Sequence, residues 1–244
     1  MRIDVLMVLQ ISQAYFPYLL GLYICLIGIQ FMFGFWMLSL YLQGKRENKT
    51  PAPYIIAITF FFLCLAVGRV IFAWFDFVLT SFNDATYPTY AWVWKIATGI
   101  SMFGLAFFAY QLETKPLQNK THGVLTLIVI VFIVIMVIYP VVDLPSYNID
   151  QFFEVGAIIP IAVTPFIYFY LAAQVPGYKV SGVIIGVGLI VYALGEVAIA
   201  EFVVVIIQNL GYTREFVYTA AQVFKIVGMI LIGSAFVKEL RRWH

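Results

Sequence analysis

Charged side chains are scarce in this chain: they make up 11% of its 244 residues, whereas 64% of the residues are hydrophobic. Soluble domains carry roughly 25% charged residues and roughly 45–50% apolar ones. A soluble protein of this length could not bury so much apolar surface, so lipid must be its main solvent. The sequence predicts one membrane domain over residues 1–244 and leaves no segment for a folded soluble domain.

Histidine and cysteine are equally rare. His122 and His244 lie in polar segments, which argues against a membrane hydrolase that holds zinc with several histidines. Cys25 and Cys64 lie in apolar runs without metal-ligand spacing. The sequence shows no nucleophile–base set, phosphate-binding loop or dinucleotide fingerprint. We therefore expect no enzyme activity, no catalytic residues and no metal, and the net charge of +2 gives no reason to expect a nucleic-acid partner.

Long apolar runs dominate what remains. A helix needs about 20 apolar residues to cross the hydrocarbon core of a bilayer. Candidate spans lie at 16–42, 54–80, 90–112, 123–142, 152–174, 182–208 and 216–238. The connecting segments are short, so consecutive helices should be antiparallel. The predicted fold is an all-α integral membrane protein, a bundle of seven transmembrane helices.

Lysine and arginine set the expected orientation, because cytoplasmic loops carry the excess of these residues. One side of the predicted bundle has Arg2 and Arg214. The other side has many more: Lys45, Arg46, Lys49, Lys115, Lys120, Lys179, Lys238, Arg241 and Arg242. The sequence predicts a multi-pass protein of the cell membrane with its N-terminus outside and its C-terminus in the cytoplasm.

Spans 2–3 and spans 6–7 are similar in sequence. Gly68-Arg69-Val70 matches Gly195-Glu196-Val197, and Lys95-Ile96 matches Lys225-Ile226. Glycines follow both lysines, at Gly99, Gly104, Gly228 and Gly233. The match predicts a 3+1+3 parallel repeat about an axis along the membrane normal, an arrangement known in carriers. Chance similarity between apolar helices is the alternative.

Six ionisable residues fall inside the predicted spans: Arg69, Asp76, Lys95, Glu196, Glu201 and Lys225. Each costs about 2.5–3.5 kcal/mol on insertion scales, so each should face the bundle interior and find a partner. With about 1.5 Å of rise per residue, Arg69, Glu196 and Lys225 should lie near the midplane and the other three in an outer layer. Equivalent places in the repeat predict that Arg69 and Glu196 pair.

Two interpretations of these six residues remain open. They could be salt bridges that fix helix packing. They could instead line a polar cavity open to the outside, which makes all six candidate residues for binding a ligand or an ion, since ionisable groups in a membrane commonly mark functional sites.

Helix count, orientation, short loops and a lysine in the last span resemble microbial rhodopsins and other seven-helix receptors, and more broadly seven-helix membrane proteins of prokaryotes. The lysine is Lys225, within Gln222-Val223-Phe224-Lys225-Ile226-Val227-Gly228. The rhodopsin resemblance implies retinal bound to Lys225 as a Schiff base; the residues by themselves predict no cofactor. Span 3 departs from the family, because Tyr90-Ala91-Trp92-Val93-Trp94-Lys95 contains no carboxylate. A counterion would have to come from Asp76, Glu196 or Glu201.

Three hypotheses for function follow. The first is a receptor or sensor whose outward-facing polar pocket binds a small ligand and changes the packing of helices 6 and 7. The second is a small-solute or proton-coupled carrier that uses Arg69, Glu196 and Lys225 at the midplane. The third is a structural subunit of a membrane complex. The expected partners are the lipid bilayer, a small molecule, and a membrane or cytoplasmic protein.

Overall fold

The structure is a computed structural model that describes residues 12–47, 53–83, 86–114, 122–138, 164–175, 177–199 and 201–242. This part of the chain is helical and contains no strand. Its α-helices are α1 (Phe16–Arg46), α2 (Pro53–Trp74), α3 (Tyr87–Thr114), α4 (Val124–Ile138), α5 (164–174), α6 (Lys179–Ala198), α7 (Glu201–Asn209) and α8 (Arg214–Arg242).

Five helical segments are long and apolar enough to cross a membrane: Gln13–Arg46, Ile55–Leu79, Thr89–Thr114, Lys179–Ala198 and Arg214–Glu239. They correspond to predicted spans 1, 2, 3, 6 and 7, and they agree with a multi-pass membrane protein. Predicted spans 4 and 5 lie partly outside the described residues, because residues 139–163 are not among them. The count of seven spans and the orientation therefore stay predictions.

The sixth predicted span, 182–208, falls on two helices rather than one. Helix α6 ends at Ala198, and α7 begins at Glu201. Acidic residues are favoured in the first turn of a helix, where the peptide dipoles give a partial positive charge. The position of Glu201 therefore suits the start of a new helix better than the interior of a long one.

The end of α2 is also irregular. A π-helical turn, Phe75–Leu79, continues α2 and contains Asp76. Ser81 and Phe82 follow with φ angles of 50° and 55°, in the left-handed region that side chains rarely adopt. Such π turns occur often at functional sites. Here the turn and the two left-handed residues bring Phe82 back over the end of the bundle, where its side chain is buried.

The helices pack in chain order around the bundle, with α8 beside α1. Helix α1 contacts α2 and α8, α2 contacts α3, α3 contacts α4, and α6 contacts α8 most extensively of all. Helix α5 joins this arrangement through Tyr168, whose ring lies 6.3 Å from that of Phe108 on α3 and 5.9 Å from that of Phe236 on α8. We call the end at which α1 begins the upper end of the bundle, and the opposite end the lower end.

Interior faces of the helices follow regular spacings. The buried positions of α1 alternate in steps of four and three: Leu19, Tyr23, Leu26, Gln30, Phe33 and Met37. This spacing puts one stripe of side chains on one helix face. In α8 the same spacing gives a second interior stripe: Tyr218, Gln222, Lys225, Met229, Ile232 and Phe236. In both stripes the polar members are concentrated toward the upper end.

The predicted repeat is not reproduced in the packing of its glycines. A Cβ on Gly104 would lie 2.6 Å from Cys64 Cβ on α2, whereas a Cβ on Gly233 would collide with the ring of Phe33 on α1 rather than with α6. The two matched glycines thus face non-equivalent helices. The 3+1+3 parallel repeat stays a prediction from the sequence.

Candidate functional site

Arg69 enters the bundle interior from α2 and is 6% exposed. Its Nη2 forms an ion pair with Glu196 Oε1 and donates a hydrogen bond to the Tyr192 hydroxyl at 3.2 Å. Tyr192 and Glu196 are four residues apart, so they lie on one face of α6. The structure thus places Arg69 and Glu196 in contact, as their matched positions in the sequence led us to expect.

Lys225 brings a second cation to the same carboxylate. It is fully buried on α8, and its Nζ lies 2.9 Å from Glu196 Oε2. The angles at Nζ are not those of a hydrogen bond, so this is a contact between charges. Each oxygen of Glu196 therefore faces one cation, and one carboxylate links α2, α6 and α8. We call Arg69, Tyr192, Glu196 and Lys225 the central layer.

Tyr23 and Asp76 form a second polar contact nearer the upper end. The Tyr23 hydroxyl on α1 donates a hydrogen bond to Asp76 Oδ2 at 2.7 Å. Asp76 also lies close enough to Arg69 and Lys225 to interact with their charges. Together with the central layer, this pair makes what we call the polar cluster. The formal positive charges of Arg69 and Lys225 balance the formal negative charges of Glu196 and Asp76.

Gln222 faces the polar cluster without a partner. It lies one turn above Lys225 and one turn below Tyr218 in the interior stripe of α8. The side chain is fully buried, and neither Oε1 nor Nε2 has a hydrogen-bond partner. A buried polar group left without a partner costs about 1–3 kcal/mol. Gln222 is therefore an unused donor and acceptor at the level between the central layer and the upper end.

Four aromatic rings lie above the polar cluster, and we call them the aromatic roof: Phe16, Phe77, Phe82 and Tyr218. Phe82 is at its centre, with ring centroids 5.5 Å from Phe16, 5.0 Å from Phe77 and 5.7 Å from Tyr218. All of these contacts are edge-to-face, the geometry that aromatic quadrupoles favour. In this structure the roof separates the polar cluster from the upper end of the bundle.

The core below the central layer is mostly apolar. Phe33, Phe62, Leu65 and Met229 are buried together in the main hydrophobic cluster. Gln30, buried between Leu26 and Phe33 in the stripe of α1, also has no partner for its amide. The polar cluster thus lies between an aromatic roof and a largely apolar floor.

Four of the six candidate residues come together in the polar cluster: Arg69, Asp76, Glu196 and Lys225. Lys95 is half-buried on α3, and the ion contacts described for Glu196 are those with Arg69 and Lys225. The side chain of Glu201 lies outside the described part of the chain. The two matched lysines, Lys95 and Lys225, therefore have different surroundings.

Sequence reasoning missed three members of the site. Tyr192 and Gln222 could have been found, since they lie four and three residues before Glu196 and Lys225, spacings that share a helix face. Tyr23 carried no such signal, because its partner Asp76 is on another helix.

Two buried acids at the lower end were also missed. Glu113 accepts hydrogen bonds from the backbone N–H groups of Leu125 at 2.8 Å and Thr126 at 3.1 Å, and from the Thr126 hydroxyl. Glu239 accepts a hydrogen bond from the Ser181 hydroxyl. Glu113 thereby caps the start of α4, where a carboxylate is stabilised by free N–H groups. These contacts connect helices, and neither acid belongs to the polar cluster.

The surroundings of Lys225 do not fit retinal. Two candidate counterions are in place, since Glu196 contacts the ammonium and Asp76 lies near it. A polyene needs in addition an apolar slot beside the lysine. Helix α6 approaches closely here, because a Cβ on Gly195 would lie 2.7 Å from Lys225 Cγ. We therefore derive no chemistry through that cofactor.

Comparisons of the chain with protein-family models, with curated proteins and with solved structures gave no match. The geometry of the polar cluster is therefore what bears on function.

Proposed function

We propose that this protein is a seven-helix membrane receptor or sensor, and that a small ligand reaches its polar cluster from the upper end. The observation that carries the proposal is the position of the cluster. Four ionisable residues, from α2, the π turn that continues it, α6 and α8, lie between the aromatic roof and an apolar floor. Such a compartment suits binding from one side.

Glu196 gives the ligand a route to helix movement. Its carboxylate joins Arg69 of α2 to Lys225 of α8. A ligand that takes over either contact changes the attraction between these helices, and the population of bundle conformations shifts accordingly. Helices α6 and α8 should move as a pair, because a Cβ on Gly228 would lie 2.7 Å from Gly188 O.

The lower end of this helix pair is the natural output. The Ser181–Glu239 hydrogen bond links α6 to α8 there. The basic residues at the end of α8, Lys238, Arg241 and Arg242, belong to the predicted cytoplasmic tail and would contact a partner protein. The signal would thus pass from the polar cluster along α6 and α8 to a protein at the membrane surface.

A carrier would need access to the cluster from both ends in turn. The apolar floor supports the sensor over the carrier, since rings such as Phe33 and Phe62, 5.9 Å apart, fill the way down.

Thiol accessibility tests the proposal. In a background of Cys25→Ala and Cys64→Ala, single cysteines would replace Leu19, Leu26 and Phe33, which lie on one stripe of α1 at descending levels. We expect a membrane-impermeant thiol reagent to label Leu26→Cys from the upper side and not from the lower side, and Phe33→Cys from neither.

A cysteine at exposed Tyr212, in the turn before α8, is the matched control and should be labelled from the upper side throughout. Labelling of Leu26→Cys from both sides would instead support the carrier. Labelling from neither side would leave the cluster with a purely structural role.

A further inference from the structure

The polar cluster has more hydrogen-bond donors than acceptors in and next to its central layer. Arg69 carries five N–H groups and Lys225 three, and the acceptors they contact are the Glu196 carboxylate and the Tyr192 hydroxyl. Lys225 Nζ has no hydrogen bond of acceptable geometry. The amide of Gln222, one turn higher on the same stripe, has none either. This side of the cluster therefore lacks oxygen acceptors.

Asp76 has spare acceptor capacity. Asp76 accepts one hydrogen bond, from Tyr23, through Oδ2. A carboxylate has about four lone-pair sites on its two oxygens. Asp76 thus offers free acceptor sites within range of the charge of Lys225.

Charge balance limits what can occupy this place. Arg69, Lys225, Glu196 and Asp76 together are formally neutral. A free anion or a free cation would add one unpaired charge to a desolvated site, which is costly. A zwitterion brings both charges at once and leaves the sum at zero.

We propose that the ligand of the polar cluster is a small zwitterion such as an α-amino acid, with its carboxylate at Lys225 and Gln222 and its ammonium at Asp76. This assignment rests on the proposed sensor function and names its ligand class. The carboxylate supplies the acceptors that Lys225 and Gln222 lack. The ammonium donates to the acceptor sites of Asp76 that Tyr23 leaves free.

Binding requires the roof to open. The side-chain polar atoms of Gln222 and the Nζ of Lys225 have no solvent contact in this structure. The roof depends on the Phe82 ring. The left-handed backbone at Ser81 and Phe82, after the π turn, sets the position of that ring. Because strained backbone persists only where packing holds it, loss of the Phe82 ring contacts releases both the strain and the cover. The ligand then stabilises the open form.

Thermal unfolding of the full-length protein in lipid nanodiscs tests the assignment. The probes are the twenty common α-amino acids, with acetate alone and methylammonium alone as the two half-ligands. We expect at least one amino acid to raise the unfolding midpoint in proportion to the logarithm of its concentration, by about 5 °C at a concentration roughly 100-fold above its Kd. Acetate and methylammonium should each leave the midpoint unchanged.

Variants separate site binding from a general solute effect. Gln222→Leu should raise the apparent Kd by at least about tenfold, the equivalent of one lost hydrogen bond to a charged group. Thr59→Val is the matched control, because Thr59 Oγ1 is also buried without a partner but lies ten residues below Arg69 on α2. It should bind with unchanged Kd.

An equal response of Gln222→Leu and the wild type would overturn the assignment. So would a midpoint shift with acetate or methylammonium alone, or no shift with any amino acid. If Leu26→Cys is still labelled from the upper side only, such a result rejects the zwitterion and leaves the sensor proposal standing. Labelling from both sides rejects the sensor proposal whatever the ligand.

Discussion

At the scale of single residues, Glu196 is the group on which the polar cluster depends. Its two oxygens face one cation each, Arg69 through Oε1 and Lys225 through Oε2. Lys225 is fully buried and has no hydrogen bond to replace this contact. Removing the Glu196 carboxylate leaves positive charge uncompensated, whereas removing one of its two cations leaves a simple ion pair. The two substitutions should therefore differ in cost.

We predict that Glu196→Gln lowers stability by about 3–5 kcal/mol, because it removes the carboxylate in contact with the buried cation Lys225. Lys225→Met should cost less, since Arg69 and Glu196 remain paired. In the double variant the loss should be smaller than the sum of the single losses, because each change removes the same contact. Unfolding midpoints of the purified proteins in detergent would measure this, and additive losses would contradict the ion contact.

The Tyr23–Asp76 hydrogen bond gives a second prediction at this scale. Tyr23→Phe removes the hydroxyl that donates to Asp76 at 2.7 Å and keeps the ring that packs against Phe77. Hydrogen bonds to charged groups contribute about 1.5–3 kcal/mol, so a loss of that size is expected. Tyr15→Phe is the control, since Tyr15 is an exposed residue near the start of α1. Equal midpoints for the two variants would argue against the bond.

At the scale of helices, the contact between α6 and α8 is set by backbone approach. A Cβ on Gly228 would lie 2.7 Å from both Gly188 O and Tyr192 N. Backbone atoms cannot move aside as a flexible side chain can. Small residues at such positions are the usual means by which membrane helices pack closely. The Glu196–Lys225 contact is between the same two helices, so it depends on this distance.

Gly228→Ala should therefore destabilise the protein and weaken the response to ligand, because it separates α6 from α8. Gly28→Ala is the matched control: a Cβ there meets nothing within 4 Å. Since Ala is favoured over Gly in a helix by about 1 kcal/mol, Gly28→Ala should be neutral or slightly stabilising. Thermal unfolding of both variants would check this, and a reversed order would mean that α6 and α8 do not touch at Gly228.

At the scale of the whole molecule, the polar cluster lies in the upper part of a bundle whose lower core is mostly apolar. If the predicted orientation is right, the roof faces the outside and the basic end of α8 faces the cytoplasm. The sensor proposal depends on this direction, because ligand entry and output must lie on opposite sides of the membrane.

Reporter fusions in a bacterial host would test the orientation. Green fluorescent protein fused after Arg46 or after His244 should fluoresce, since it does so in the cytoplasm. Alkaline phosphatase fused after Asn83 or after Leu210 should be active, since it needs export. The opposite pattern at all four positions would invert the topology, and an even number of spans would show as a disagreement between Arg46 and His244.

The sequence by itself determined that lipid is the main solvent of this protein, and it determined where most of the long helices lie. Hydropathy is a local property, and five long apolar helices follow it closely. The rule that buried charges need partners, with the sequence match between spans, also pointed to the contact between Arg69 and Glu196. Asp76 and Lys225 were named as candidates because they are ionisable residues inside predicted spans.

Only the tertiary structure decided which of two similar residues joins the site. Lys225 and Lys95 have matching sequence contexts, and it is Lys225 that the structure shows in contact with Glu196. It also placed Phe82 over the cluster, through a π turn and two left-handed residues that hydropathy does not register. Partner choice depends on helix register and on side chains from distant segments. Helix register and the contacts between distant side chains are fixed only when the bundle packs, so no single stretch of the sequence determines them.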